Sequence, residues 1–353
     1  MLPRELISGP GLRLVVFGFL LSLFSSFGQT FFIALFGAEI RAEYGLSNGG
    51  FGAVYSLANL ASGLTMIWLG AVLDRMSLLR YAAGATLALG AACVLMALAQ
   101  STVLLALALF GLRLSGQGML SHAAVTGMAR AFQQSRGKAI AIAALGHPAG
   151  EALLPIAAVG AAVLLGWRGV WLGAAALLLA ALLSLVALLA RHGDWRQAAP
   201  ATGAEAAAPS FTRADLLRDG RFHLLCPALV GPPFIVTGLF FHQVPLVEAK
   251  GWQLAMFASS FAAYALASTA GAVLCGALVD RAGAVRLMPF YLLPLALGCM
   301  VLALGEQPLL AFAFMSLAGL GAGATAAIVA AMWAESMAPA ISARSGRSRP
   351  RSG

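Results

Sequence analysis

The sequence predicts an all-α, polytopic membrane protein made of two related helical bundles. Three observations predict it. Of the 353 residues, 61% are hydrophobic and only 10% charged, whereas a soluble chain carries charge at about a quarter of its positions. The apolar residues recur in blocks of roughly 20 or more, the length that crosses a bilayer core. One short motif appears twice at a constant offset.

Cutting at Gly, Pro and charge clusters gives ten expected spans, at about 14–38, 51–73, 81–99, 102–127, 139–163, 169–190, 222–245, 253–279, 286–304 and 308–334. The first is not a cleavable signal, because the apolar run from Leu14 to Phe36 outlasts a signal core and lacks a clean small-residue cleavage site. The segment 191–221 is polar and rich in Ala, with Pro200, Gly203 and Pro209, and reads as a cytoplasmic linker. The expected organisation is therefore a six-helix bundle over 1–190, the linker, a four-helix bundle over 222–334, and a basic tail over 335–353.

Basic residues set the orientation. With the N-terminus in the cytoplasm, outside loops hold only Arg41, Arg168 and Lys250, Arg113 lies within a span, and four arginines decorate the tail. The remaining fourteen fall inside, a clear positive-inside bias. The net charge of +9 thus follows the membrane and does not point to nucleic acid.

Cys93, Cys226, Cys275 and Cys299 sit in apolar blocks with no CxxC spacing and no clustered histidines, so neither a metal site nor a disulfide framework is expected. No nucleophile elbow, phosphate-binding loop or HExxH motif is present, which argues against an enzyme and against a cofactor.

Gly70, Asp74, Arg75 and Arg80 recur as Gly276, Asp280, Arg281 and Arg286, each 206 residues later. The same offset maps Phe51 onto Phe257 and Leu60-Ala61-Ser62 onto Leu266-Ala267-Ser268, so the halves form a parallel repeat. Repeated between the second and third helices and between the eighth and ninth, G-x-x-x-D-R-x-x-x-x-R is similar to the signature loop of the major facilitator superfamily. The first copy departs from it, with Ser77 where a second glycine usually falls. The resemblance implies two six-helix bundles around a central cavity, alternating access, and a loop that locks and releases at the cytoplasmic face. Only ten of the usual twelve helices are expected here. Composition changes near Trp333 to Arg, Ser, Pro and Gly, as out-of-frame translation of a GC-rich gene would produce; the alternative is a genuine basic tail on anionic headgroups.

Ionisable groups inside a span are costly and mark functional sites by default. Arg113 lies in span four, and Gln117, four residues on, is expected on the same face. Arg113 with Gly116 and Gly118 resembles the family's fourth-helix arginine, which implies proton coupling or recognition of substrate charge. Glu151, within a Gly/Pro-rich stretch, is the expected ion partner of Arg113, either structural or opening to bind substrate or a proton. First and seventh helices line the cavity in this family, which nominates Gln29, His242 and Gln243. His242 titrates near neutrality if it reaches the cavity and otherwise meets interfacial water. Tyr55 and Asn59, one turn apart in span two, face the cavity or bond between helices.

The expected function is secondary active transport of a small polar solute, an organic anion if Arg113 sets the charge preference, with proton coupling through Glu151, Arg113 or His242. The competing expectation is an inactive remnant or a membrane sensor derived from a transporter. The expected setting is a bacterial cytoplasmic (inner) membrane. Small-molecule substrate, lipid and protons are the expected partners of a monomer.

Overall fold

The computed structural model describes residues 3–73, 75–192 and 220–347. Asp74 and nearly all of the expected linker lie outside the described residues. Every regular segment among the described residues is helical. The chain divides into two compact units, Met1–Thr202 with Phe240–Ser259, and Gly203–Leu239 with Ser260–Gly353.

In the first unit a short helix α1 (Arg4–Ile7) leads into α2 (Gly9–Phe24). Ser8 caps α2 by accepting from the Gly11 amide. α2 does not continue as one rod. It passes into a 3-10 turn (Ser25–Gly28), an extended residue at Gln29 (φ −87°, ψ 152°), the single turn α3 (Thr30–Ile33), a second 3-10 turn (Ala34–Phe36) and α4 (Gly37–Tyr44). α4 ends at Gly45 with φ 61°, a left-handed position that takes glycine. Irregular backbone at membrane depth is tolerated only where protein covers it. Residues 25–28 and 30–37 are indeed buried.

α5 (Asn48–Leu73) has two faces. Leu57, Leu60, Leu64, Ile67 and Trp68 form one stripe, between 46% and 68% exposed, which lipid would cover. Phe51, Tyr55, Ala58 and Ser62 face inward. α6 (Leu78–Leu98), α7 (Thr102–Leu112), a π-helical segment (Arg113–Leu120), α8 (Ser121–Ala131), α9 (Arg136–Ala144) and α10 (Gly146–His192) follow. The stretch Arg136–His192 has 57 residues. That is on the order of 85 Å of helix, against roughly 30 Å of hydrocarbon. Gly166 breaks it at φ 66°, ψ 166°, between the spans expected at 139–163 and 169–190. The fully buried Trp171 meets Phe32 and Phe36 edge-on at 5.2 and 5.9 Å, tying α10 to the broken first span.

α11 (Gly220–Phe241) and α12 (Gln243–Ala249) meet at a bend of 61° at His242. From Phe240 on, through the bend, the chain belongs to the first unit: the Phe241 ring lies 5.1 Å from Phe51 and 4.7 Å from Tyr55.

The second unit holds most of α11 and of α13 (Leu254–Ala282), with α14 (Ala284–Leu287), α15 (Leu293–Leu304) and α16 (Leu310–Arg347). α13 and α16 approach at backbone distance. A Cβ on Gly271 would lie 2.6 Å from the Leu320 carbonyl oxygen, and one on Gly323 2.6 Å from the Ala272 nitrogen. Without a hydrophobic driving force between helices in lipid, such small-residue crossings carry the packing. Cys275, Tyr291 and Ile328 are buried together below them. The span expected at 286–304 is interrupted, because Pro289 interrupts the ladder and regular helix resumes only at Leu293. α16 runs on through Arg347, past the compositional change near Trp333.

Among the described residues seven helical segments are long and apolar enough to cross a membrane, or eight with the bent pair as one span. The chain is a multi-pass membrane protein.

Candidate functional site

Interrupting a helix frees backbone carbonyls, and in a bilayer each needs a donor from the protein. Two side chains from other elements supply the break in the first span. Arg113 opens the π segment and donates from Nη1 to the Gly28 carbonyl oxygen at 3.0 Å and to Thr30 Oγ1 at 3.3 Å. Its Nε donates to Asn59 Oδ1 at 2.8 Å. Gln243 Nε2 donates to the Phe31 carbonyl oxygen at 2.8 Å. The Thr30 and Tyr55 hydroxyls are 2.7 Å apart, and the guanidinium carbon stands 5.6 Å from the Tyr55 ring centroid, within cation–π range. Arg113 is 5% exposed and Gln243 fully buried.

Glycines bring the partners this close. A Cβ on Gly116 would lie 2.7 Å from Gly28 Cα, so the π segment and the broken turn touch backbone to backbone. The next contact is of the same kind: Gly146 and Gly150 of α10 lie against residues 19–26 of the first span.

The expected Arg113–Glu151 ion pair does not form. Glu151, 6% exposed, has His147 Nδ1 at 3.6 Å as its ionic neighbour. Arg113 has no carboxylate partner among the described residues. Neutral acceptors, two at the helix break and Asn59 on α5, already take three guanidinium hydrogen bonds, and bonds to a charged donor are among the stronger ones. Nη2 takes no part in them, and it carries the remaining directional donors.

Arg113 and Gln117 do not share a face either: the first is buried and the second exposed. The segment hydrogen-bonds i to i+5, so four residues fall short of a full turn. Tyr55 and Asn59 do act together, both serving the Arg113 and Thr30 cluster. Gln29 contributes its extended backbone, with its carbonyl accepting from Phe32 and Ile33. His242 sits exposed in the bend, edge-on to Phe241 at 5.1 Å, while its neighbour Gln243 reaches inward.

The repeated motif occupies equivalent local positions in each unit. Gly70 lies in the last turn of α5, Arg75 in the turn after it, and Arg80 in the first turn of α6. Gly276, Asp280 and Arg281 end α13, and Arg286 lies in α14. Gly283 takes φ 81° to make its turn, whereas Ser77, its counterpart, is extended at φ −68°, ψ 143°. The glycine missing from the first copy is therefore not required there. Arg75, Arg80, Asp280, Arg281 and Arg286 are all exposed.

Two further clusters carried no sequence motif. At the motif end, Arg130 Nη1 donates to the Leu73 carbonyl oxygen at 3.1 Å, capping α5, and Ser135 bonds Glu5. At the far end, Arg168 pairs with Glu43 and donates to the carbonyl oxygens of Ala97 and Ala99, while Tyr44 Oη donates to Ala99 at 2.9 Å. Burial raises the Tyr44 phenol above its ordinary value, which keeps it a donor.

No group of three or more metal-ligating side chains gathers among the described residues. A cavity of about 160 Å³ beside the broken span is lined by Phe27, Phe32, Leu154, Leu165, Val170 and Leu177 with small neighbours, an apolar wall suited to lipid rather than to a polar solute.

The sequence matches the family model described as Major Facilitator Superfamily over residues 18–346. Among solved structures it is similar to the nucleoside transporter NupG, at 16% identity and a TM-score of 0.72, over 94% of this chain and 84% of that one. It is also similar to a bacterial homologue of the human lysosomal transporter Spinster, inward-facing and unoccupied. There the identity is 17% and the TM-score 0.66, over 91% of this chain and 74% of that one. At these identities the likeness is one of fold. No curated protein matches.

Proposed function

The chain belongs to the Major Facilitator Superfamily, and from that premise we propose that it is a secondary active transporter moving a small polar solute by alternating access. The setting is a bacterial cytoplasmic membrane, with the N-terminus inside, as the basic loops favour. Ten spans fit this reading if Arg136–His192 is divided at Gly166 and the short helix Leu293–Leu304 counts as one. The loops at Asp74 and Asp280 act as gates on the cytoplasmic side. The working unit is a monomer with lipid around it.

One observation carries the solute class. Arg113 is buried, rigidly held through Nε and Nη1, and without a carboxylate among the described residues. A fixed positive group with spare donors recognises an anionic group, and a carboxylate or phosphate oxygen is its natural complement. The solute is therefore an organic anion, and its charge makes co-movement of protons advantageous.

Flux tests this. Proteoliposomes holding the full chain are offered labelled carboxylates, sugar phosphates and neutral sugars under an imposed pH gradient. Saturable uptake of an anion, lost in R113Q, is the expected result. Uptake of neutral sugars alone, indifferent to R113Q, overturns the anion assignment, and no uptake of any solute overturns transport.

A further inference from the structure

We propose that His147 and Glu151 form the proton-carrying site of this protein, His147 passing protons between water and the buried Glu151 carboxyl group. The inference rests on the transport reading and gives it a coupling site separate from Arg113. The two residues stand one turn apart on α10, with Nδ1 3.6 Å from Oε1. The His147 side chain is 38% exposed and that of Glu151 8%, so the imidazole stands between the carboxyl group and the outside of the bundle.

Charge balance fixes what the pair must hold. An ionised carboxylate inside a span needs donors or a counter-charge. Among the described residues Glu151 accepts no hydrogen bond and has His147 as its ionic neighbour. Either the carboxyl group carries the proton or the imidazole does, so in this arrangement the pair holds one proton. Transfer from Nδ1 to Oε1 converts imidazolium and carboxylate into neutral imidazole and neutral acid, and the reverse step returns the proton to the exposed ring.

The elements packed on α10 offer no other charge to the carboxyl group. α2 contributes Arg13, α6 contributes Arg80, Tyr81 and Cys93, α9 contributes Arg136 and Lys138, and the broken stretch 25–36 contributes none. Among the described residues the ionic contact recorded for Glu151 is the one with His147.

A second observation identifies where the emptied site finds its donor. Ser26 Oγ is fully buried with no hydrogen-bond partner. A Cβ on Gly150, the residue before Glu151, would lie 3.0 Å from Ser26 Cβ, so the hydroxyl and the carboxyl group belong to the same helix contact. Ser26 Oγ is thus left unmet at the contact between the broken turn and the residue before Glu151, and a small shift of that turn against α10 would offer its hydroxyl to the carboxyl group. The same turn carries Gly28 and Thr30, the acceptors of Arg113. Losing the proton therefore pulls on the turn that positions the anion-binding guanidinium.

Infrared difference spectroscopy of the full chain in lipid, recorded across a pH series with no solute present, tests the proposal. A carbonyl band of a protonated carboxylic acid is expected to appear on acidification. E151Q removes it, while E151D, which keeps a carboxyl group, retains it and so excludes unfolding as the cause of the loss. H147Q shifts the pH at which the band appears by roughly one unit or more, because it removes the charge partner. A band unchanged in E151Q, or a titration unmoved in H147Q, overturns the assignment. Flux and titration are read separately: a negative spectrum leaves anion transport standing, and a positive spectrum without flux leaves the proton site standing.

Discussion

Arg113 Nη1 donates to the Gly28 carbonyl oxygen at 3.0 Å, so the π-helical start of the fourth span holds the broken turn of the first. The interruption would otherwise leave a carbonyl unpaired inside the membrane, and the guanidinium would otherwise lack acceptors. Each answers the other's burial. Lysine keeps the charge but loses the planar fork, so it cannot serve Asn59, Gly28 and Thr30 together. R113K is expected to lose about 1–3 kcal/mol of stability, read as a lower thermal midpoint in detergent, together with most anion uptake. An unchanged midpoint would remove Arg113 from its structural role.

Gly116 tests the closeness of that contact. Alanine there would place a methyl 2.7 Å from Gly28 Cα, with backbone on both sides and no side chain able to yield. G116A should cost more than about 2 kcal/mol. Gly63, on the exposed face of α5, has nothing within 4 Å of its Cβ direction. G63A should therefore be neutral or up to about 1 kcal/mol stabilising, since alanine is the better helix former. Equal thermal midpoints for the two variants would contradict the crossing.

Much of the fold was legible because lipid imposes a simple rule: apolar blocks of span length, charge at their ends, and a duplicated loop. Tyr55 and Asn59 were legible for the same reason, standing out as polar groups one turn apart in an oily helix. Pairing was not legible. Arg113 and Glu151 look like natural partners as the buried charges of neighbouring spans, yet the break at Gln29 offers Arg113 neutral acceptors that no composition reveals. The Gln117 expectation failed because four residues make a turn of α-helix but not of π-helix, and no motif marks the wider ladder. Gln243 and His242 look alike as polar groups near a helix end, yet the bend at His242 turns one inward to the Phe31 carbonyl and leaves the other exposed.

Arg130 caps the helix that leads into the first signature loop. Removing the cap leaves the Leu73 carbonyl with only the longer bond from the Met76 amide, at 3.4 Å. R130A is expected to cost about 1 kcal/mol and to speed amide exchange across residues 75–80, with little change at the far end of α5. Exchange unaltered in that loop would show that the cap does not restrain it.

At the far end Arg168 serves two functions that separate by mutation. Its pair with Glu43, whose side chain is 40% exposed, is open to solvent and salt. E43Q should therefore cost less than about 1 kcal/mol, and less still at high ionic strength. R168A also strips donors from the Ala97 and Ala99 carbonyls at the end of α6, and should cost about 1–3 kcal/mol with weak salt dependence. Matching salt profiles for the two variants would assign Arg168 to the ion pair alone.

Arg75 and Arg281 each follow the acidic residue of a signature copy, and both are exposed at the end of a span-length helix. A parallel repeat requires both loops on one side of the bilayer, and the basic bias names the cytoplasmic side. Single cysteines at these positions, in a chain whose four native cysteines are replaced by serine or alanine, should resist an impermeant maleimide in intact cells and react once the membrane is opened. The readout is sensitive because the side chains reach water in either case. Labelling of one position from outside and the other from inside would make the repeat inverted, and the gating role of both loops would fall with it.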